Sequence, residues 1–208
     1  MPGNSTHAEY DEHLPAWLRI RDVLAGDTAI KRGGEKYVPR LESQNDDEFR
    51  AYVERGFFYN ATSRTLSGFV GMVFRRDPVL QLAPNSRGSS SFLQTFSHDV
   101  DLLGTTLDSY AKNIVTDVVS VGRAGTLVDW QDGTENRAYL SMYAAESIIN
   151  WRQIRINGQM KLSLVVLAET AAGVPKEDDA FVIEDVPQIR VLKLVTVGAA
   201  RNSRGHHS

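Results

Sequence analysis

Asn157-Gly158 constrains this chain more than any other pair of residues. A type I′ turn needs positive φ at both central positions, and Asn-Gly supplies them. The runs on either side alternate as strands do. On the first arm Ile154 and Ile156 share a face, with Arg155 on the other. On the second arm Met160, Leu162, Leu164 and Val166 share a face. Lys161 and Ser163 point away, and Val165 and Leu167 then make the strand apolar on both sides. A strand that turns apolar on both faces is a central strand. Residues 150–169 are therefore read as the middle of a sheet, with Leu162 and Leu164 buried.

The preceding chain has helical period. Leu14, Trp17 and Leu18 form one stripe of a helix over residues 9–25, and Gly26 is a C′ cap. Pro15 is awkward inside such a helix; placing it in the first turn would start the helix near His13. Residues 27–43 read as a loop with a short strand near Tyr37-Val38. Asn45 and Glu48 have capping-box spacing at the next helix start. Its stripe passes through Phe49, Tyr52, Val53 and Phe57, and a second stripe runs from Leu66 to Val73, with a break near residues 60–63. Arg75-Arg76 suits the negative end, and Asp77-Pro78 stops it. Residues 79–91 are loop, and residues 92–100 hold a short helix.

Leu107, Tyr110, Ala111, Ile114, Val115, Val118 and Val119 give the clearest helical period. Thr105 and Asp108 are spaced for its capping box, and Gly122 for its stop. Leu107, Ile114, Val115 and Val118 are expected to face the core. Residues 124–130 read as a strand, residues 131–137 as a polar turn, and residues 139–149 as a short helix or helical turn. Residues 171–179 are a flexible connection before strands at 181–183 and 188–195. Helices first and strands later argue an α+β fold, with N-terminal helices packed on a C-terminal, mainly antiparallel sheet. Residues 1–8 and 196–208 are expected to be disordered, and residues 9–195 to form the domain.

Composition narrows the function classes. The chain has no cysteine, which removes disulfides and thiolate metal sites. Its net charge of −3 is no footprint for wrapping nucleic acid. The start, MPGNSTHAEYDEH, lacks the basic and apolar parts of a signal peptide. No apolar run is long enough to span a membrane. A soluble, intracellular protein is expected.

Candidate chemistry is sparse. His98, Asp99 and Asp101 could begin a divalent-cation site for a metal-dependent nuclease or hydrolase, but two neighbouring aspartates are too few oxygen ligands. Gly122-Arg123-Ala124-Gly125 follows a helix and precedes a strand, the wrong order for a phosphate cradle. Residues 129–135 resemble part of a calcium loop, but Gln131 and the missing distal acid break it. No Ser or His lies in a nucleophile elbow, and His206-His207 reads as tail. Arg75-Arg76 reads as a solvated helix end. Phe57, Phe58 and Tyr59 read as helical residues packing in a core or subunit interface. No catalytic residue, cofactor or metal ligand is assigned.

Three stretches together resemble a known family. They are YVERGFFYN at 52–60 running on to TLSGFVGMVF at 65–74, then DLLGTTL at 101–107 with VGRAGTLVD at 121–129, and YAAESIINWR at 143–152. In combination they resemble a family of tailed-phage and prophage proteins similar to bacteriophage portal proteins. The likeness covers roughly residues 17–194 in the expected order. It implies a structural virion protein rather than an enzyme, in a ring of identical subunits at one capsid vertex. It implies capsid, terminase and head-tail adaptor as partners. It implies double-stranded DNA passing through the channel without sequence-specific contact. Assembly would take place in the host cytoplasm. Residues 9–195 would be the wing-like part of such a protein. The polar tail at 196–208 is unlike the family's continuation, so a truncated or frameshifted frame, or a fragment without stem and clip, is expected. The alternative within phage biology is a non-portal adaptor or head-assembly interaction protein.

Overall fold

The computed structural model describes residues 5–79, 89–133, 136–171, 175–176, 179–183 and 185–195. Helices come first and strands later, an α+β order. The chain divides into two units, Asp11–Glu146 and Met1–Tyr10 with Ser147–Ser208. The sequence expectations for residues 1–4, 80–88, 172–174 and 196–208, His206-His207 among them, lie outside the described residues. Among the described residues no helix is long and apolar enough to cross a membrane.

Helix α1 is Ala8–Ala25 and carries Pro15 in its interior. The helix starts five residues before His13, where His7 Nδ1 accepts the N–H of Glu9 at 3.2 Å and acts as the cap. The Pro15 reading as a first-turn residue is thus corrected. Gly26, at φ 91°, ends the helix by donating its N–H to Asp22 and Val23 carbonyls. Residues 27–36, read from sequence as loop, are helical: α2 is Asp27–Gly33, followed by a 3-10 turn, Gly34–Lys36, and Tyr37-Val38, read as a short strand, is instead a turn and bend. Asp27 in the first turn and Lys31 in the last suit the helix dipole and pair at 2.8 Å. Short-range charge outweighs the loop-like composition there.

Helix α3 is Asp46–Arg55, and its Asn45–Glu48 capping box forms as the spacing predicts. Helix α4 is Ala61–Val73, capped by Asn60, and α5 is Ser89–His98. Helix α6 is Leu107–Val121 and contacts α4, α5 and the first strand. Its cap is Thr106, which accepts the Ser109 N–H, not Thr105 with Asp108. Its buried face is Tyr110, Asp117 and Val121. Ile114 and Val115 are half-buried, while Val118 is exposed. The stripe is rotated from the expected one because Asp117 is drawn inward to Arg21. Ile114→Ala should accordingly cost only about 1–2 kcal/mol, below the range for fully buried large-to-small changes. Val118→Ala should stay within about 0.5 kcal/mol. Urea denaturation of both variants checks the rotation; a larger loss at Val118 would contradict it.

Strands β1, Ala124–Gln131, and β2, Arg137–Ala144, pair antiparallel from Ala124↔Ala144 to Gln131↔Arg137. The sequence reading placed a helical turn over residues 139–149. Only Ala145–Ser147 is helical, as a 3-10 turn. In RAYLSMYA the buried ends Arg137 and Tyr143 share a strand face, and that pleat overrides the helix propensity of Ala, Leu and Met.

The second unit is built on β3, Ile148–Ile156, and β4, Gln159–Ala171, around Asn157-Gly158 at φ 50° and 80°. Both angles are the positive values the turn dipeptide predicts. With β7, Val186–Lys193, they form a three-stranded antiparallel sheet in the order β3-β4-β7. Strand β4 is central, as its two-sided apolar end implies, and Val166 and Leu167 are buried. Leu162, expected in the core, is 54% exposed, and Leu164 is half-buried. Strand β7 pairs with β4 only from Leu164 to Ala171, so the hairpin tip runs on as a two-stranded ribbon. Strands β5, Pro175–Lys176, and β6, Asp179–Ile183, form a separate pair.

Candidate interaction surface

The stretch from α2 to α4 holds its backbone tightly and leaves its side chains open. Gly56 ends α3, and Asn60 begins α4 by accepting the Ser63 N–H at 2.9 Å. Asn60 also donates from Nδ2 to the Val23 carbonyl at 2.7 Å. Phe58 donates its N–H to Asp27 Oδ1 at 3.1 Å. The Lys31 ammonium, and behind it the Phe58 N–H, hold the Asp27 carboxyl below its ordinary range against the pull of burial. Between these clamps Phe57 is 86% exposed. Phe57, Phe58 and Tyr59 sit in the connection between the helices and not inside one, which corrects the sequence reading. Glycine at position 56 closes α3 before them.

Helix α3 has no buried residue, and α4 has only Val70. Phe49 and Val53 are half-buried, and Tyr52, Phe69, Met72 and Val73 are exposed. A groove of about 330 Å³ is lined by Ile30, Tyr37, Val53, Gly56, Phe57 and Phe58, among others. A neighbouring groove of about 480 Å³ is lined by Phe49, Arg50, Val53 and Glu54, with Lys31 in common. An apolar floor with charged edges, on helices that bury almost nothing, is the anatomy of a protein-binding surface. Nearby, Tyr37 Oη and Lys36 Nζ both donate to Asp22, with Lys36 at 2.8 Å. Lys36 first, and Tyr37 second, hold the Asp22 carboxyl low.

A second open surface lies on the β3-β4-β7 sheet. The register pairs Leu164 with Lys193, Val166 with Val191 and Ala168 with Ile189. It also pairs Arg152 with Leu164 and Arg155 with Met160. One face therefore carries Met160, Leu162, Ile189 and Val191, all exposed, beside Arg152, Arg155 and Lys193, while Val166 on the same face is buried and Leu164 half-buried. The sequence hid this face, because alternation reports that a face is apolar and not whether anything covers it. Along β3, His7 donates its N–H to the Ile149 carbonyl at 2.9 Å and stacks on Trp151 at 4.0 Å. Asn150 Nδ2 donates to the Ser5 carbonyl at 2.7 Å.

The residues considered for chemistry have structural partners. Asp99 accepts from Arg137 and, at 2.9 Å, from the Gly104 N–H. Asp101 Oδ1 accepts the N–H of Leu103 at 3.0 Å and of Thr105 at 3.2 Å. Burial pushes the Asp101 carboxyl up, but the Thr105 and Leu103 bonds outweigh it and leave it low. These two carboxylates shape the turn before α6. Among the described residues no three His, Asp or Glu side chains gather as metal ligands. Gly122, at φ 80°, donates its N–H to Val118 and caps α6. Asp129 Oδ1 accepts the Trp130 N–H, and Arg75-Arg76 lies exposed just past α4.

Sequence reasoning missed the polar cluster of the first unit. Arg21 bonds Asp117 at 2.6 and 3.0 Å and Glu146 at 2.7 and 3.1 Å. These residues are 96 and 125 positions from Arg21, so no local spacing joins them. The chain matches no model of a known protein family and no curated protein.

Proposed function

We propose that this chain is a portal-like structural protein of a tailed phage or prophage, acting by assembly. In this reading it belongs to the ring at one capsid vertex through which DNA is packaged and ejected. Capsid, terminase and head-tail adaptor are its partners, and double-stranded DNA passes without sequence-specific contact. The resemblance of the three sequence stretches supports the assignment. The observation that carries it is where the first stretch lies: residues 52–74 run through α3 and α4, where Tyr52, Phe57, Tyr59, Phe69, Met72 and Val73 are exposed. Rings above two-fold need two different contact surfaces on each subunit, and the exposed sheet face offers another apolar surface.

The test is the position of the chain in the particle. Gold labelling of an epitope tag on purified phage, followed by cryo-electron microscopy, should mark one vertex per head. Label on the tail side of that vertex, outside the ring, would shift the assignment to an adaptor. Particles that carry none of the chain would overturn the structural reading.

A further inference from the structure

We propose that the free edge of β3 takes an extended acidic segment of a partner protein, which adds as a further strand beside residues 152–156. In the order β3-β4-β7, β3 has a neighbour strand on one side only. Part of its open side already holds chain: the His7 N–H bonds the Ile149 carbonyl at 2.9 Å, and Asn150 Nδ2 reaches the Ser5 carbonyl at 2.7 Å. The chain turns into α1 at Ala8, and a cleft of about 460 Å³ follows along β3, lined by His7, Glu9, Asn150, Trp151, Arg152 and Gln153. Among the described residues, the backbone of residues 152–156 bonds to β4 and to no other strand. Such an edge offers N–H and C=O groups in alternation, which an added strand satisfies. A phosphodiester backbone brings acceptors only and leaves the carbonyls unmet.

Charge selects the strand. No Asp or Glu occurs from Ser147 to Ala168, where Arg152, Arg155 and Lys161 stand, although the whole chain carries −3. Arg152 and Arg155 are exposed and share the face of Leu164 and Met160. Arg190, on the opposite face, is bonded to Glu169 at 2.8 Å, whereas Arg152 and Arg155 meet no carboxylate among the described residues. Glu9 is the one acid lining the cleft and pairs with neither. Arg155 Nε donates to the Gly158 carbonyl at 3.3 Å, which leaves its charge unanswered. An added strand sets its side chains opposite those of β3, at about 5 Å between Cβ atoms. Acids on one of its faces meet Arg152 and Arg155, and apolar residues on the other meet Ile154, which is 39% exposed. A second β3 would set arginine near arginine, so the edge repels its own copy.

Two short synthetic peptides test this on the full chain, one alternating valine and glutamate, the other valine and lysine. Amide exchange and backbone NMR shifts at residues 152–156 are the readout. The glutamate peptide should bind below about 1 mM and slow exchange at these residues, and the lysine peptide should bind at least about tenfold more weakly. Affinity for the glutamate peptide should fall between about 0.05 M and about 0.5 M salt. The double variant Arg152→Glu with Arg155→Glu should reverse the preference; both positions are exposed, and circular dichroism checks the fold. Arg152→Gln with Arg155→Gln replaces it if the fold is lost, and should abolish the preference. A glutamate peptide methylated on its backbone nitrogens should lose binding, since it cannot donate to the edge. No binding at about 1 mM overturns the proposal. So does a preference that the double variant leaves in place, or equal binding by the methylated peptide. Residues 152–156 as protected in the free chain as Val166 would show an edge already filled, and overturn it too. A single-stranded oligodeoxynucleotide that protects these residues more than the glutamate peptide does would assign the arginines to nucleic acid and sink the strand. Peptide binding and particle labelling are separate readouts, so either reading can fail alone.

Discussion

Arg21→Ala should lower the unfolding free energy by about 3 kcal/mol, the low end for breaking a buried ion pair. The guanidinium spans two carboxylates with four hydrogen bonds of 2.6 to 3.1 Å. Asp117 is only 9% exposed, so without Arg21 a carboxylate is left inside the unit with little water. The arginine side chain is itself 30% exposed, which holds the estimate at the low end. Arg21→Lys keeps the charge and loses the fork, so it should recover only part of the loss. The Arg21 hydrogen bond holds the Glu146 carboxyl below its ordinary 4.5 against the opposing effect of burial. A depressed folded-state pKa gives stability that is full above the unfolded value and lost as pH falls through the folded one. The acid-labile part should therefore be present at neutral pH and fade below about 4.5. Urea midpoints measured from pH 7 to pH 3 read this slope. Glu146→Gln should be less stable at neutral pH and show a shallower acid decline. An unchanged slope would mean the pair contributes nothing.

Local signals carried far in this sequence. The capping box at Asn45–Glu48, the αL cap at Gly122 and the Asn157-Gly158 turn each lie within a few residues and appear where the spacing puts them. The order of helices before antiparallel strands followed from period alone. What failed was set by neighbours distant in the chain. Tyr139 and Met142 have no local mark of a strand; pairing with β1 makes them one. Leu162 alternates as a core residue does, yet among the described residues no third strand pairs with it. The α6 face turns toward Asp117 because Arg21 lies across from it, 96 positions away.

The interaction surface was legible in part. The aromatic run at 57–59 stood out by composition and was read as core or subunit-interface packing; Phe57 and Tyr59 are exposed. Its placement in a connection was not legible, since Gly56 closes α3 only through its backbone angle and carbonyl partners. The basic rim of the sheet could not be read at all. Arg152 and Lys193 meet across Leu164 only after the strands have paired, and a β-bulge between Arg152 and Gln153 resets which side chains share that face.

The turn at residues 99–105 gives the remaining large effect: Arg137→Met should cost about 3–4 kcal/mol, as removing one partner of a buried pair does. Arg137 is 7% exposed and donates to the Asp99 carbonyl at 2.6 Å and to its carboxylate. Those bonds fix a segment with two positive-φ residues, Leu102 at 66° and Gly104 at 84°. Val100, fully buried, sits at its centre, donating to the Thr105 carbonyl and accepting from the Leu140 N–H at 2.7 Å. Thr106 caps α6 next in the chain, so the turn sets where that helix begins. Methionine keeps the apolar stem but leaves the Asp99 carboxylate with the Gly104 N–H in place of a cation. A chain of this size should lose roughly 10 °C in melting temperature. Adding Asp99→Asn should restore part of the loss, since the uncompensated charge goes with it. Amide exchange should quicken first at Val100 and Leu140. A hydrolase using Asp99 and Asp101 would behave otherwise: Asp99→Asn alone would weaken metal binding and leave the melting temperature in place. A stability change under about 0.5 kcal/mol in Arg137→Met, the range of an ordinary surface site, would remove the turn from the list of structural anchors.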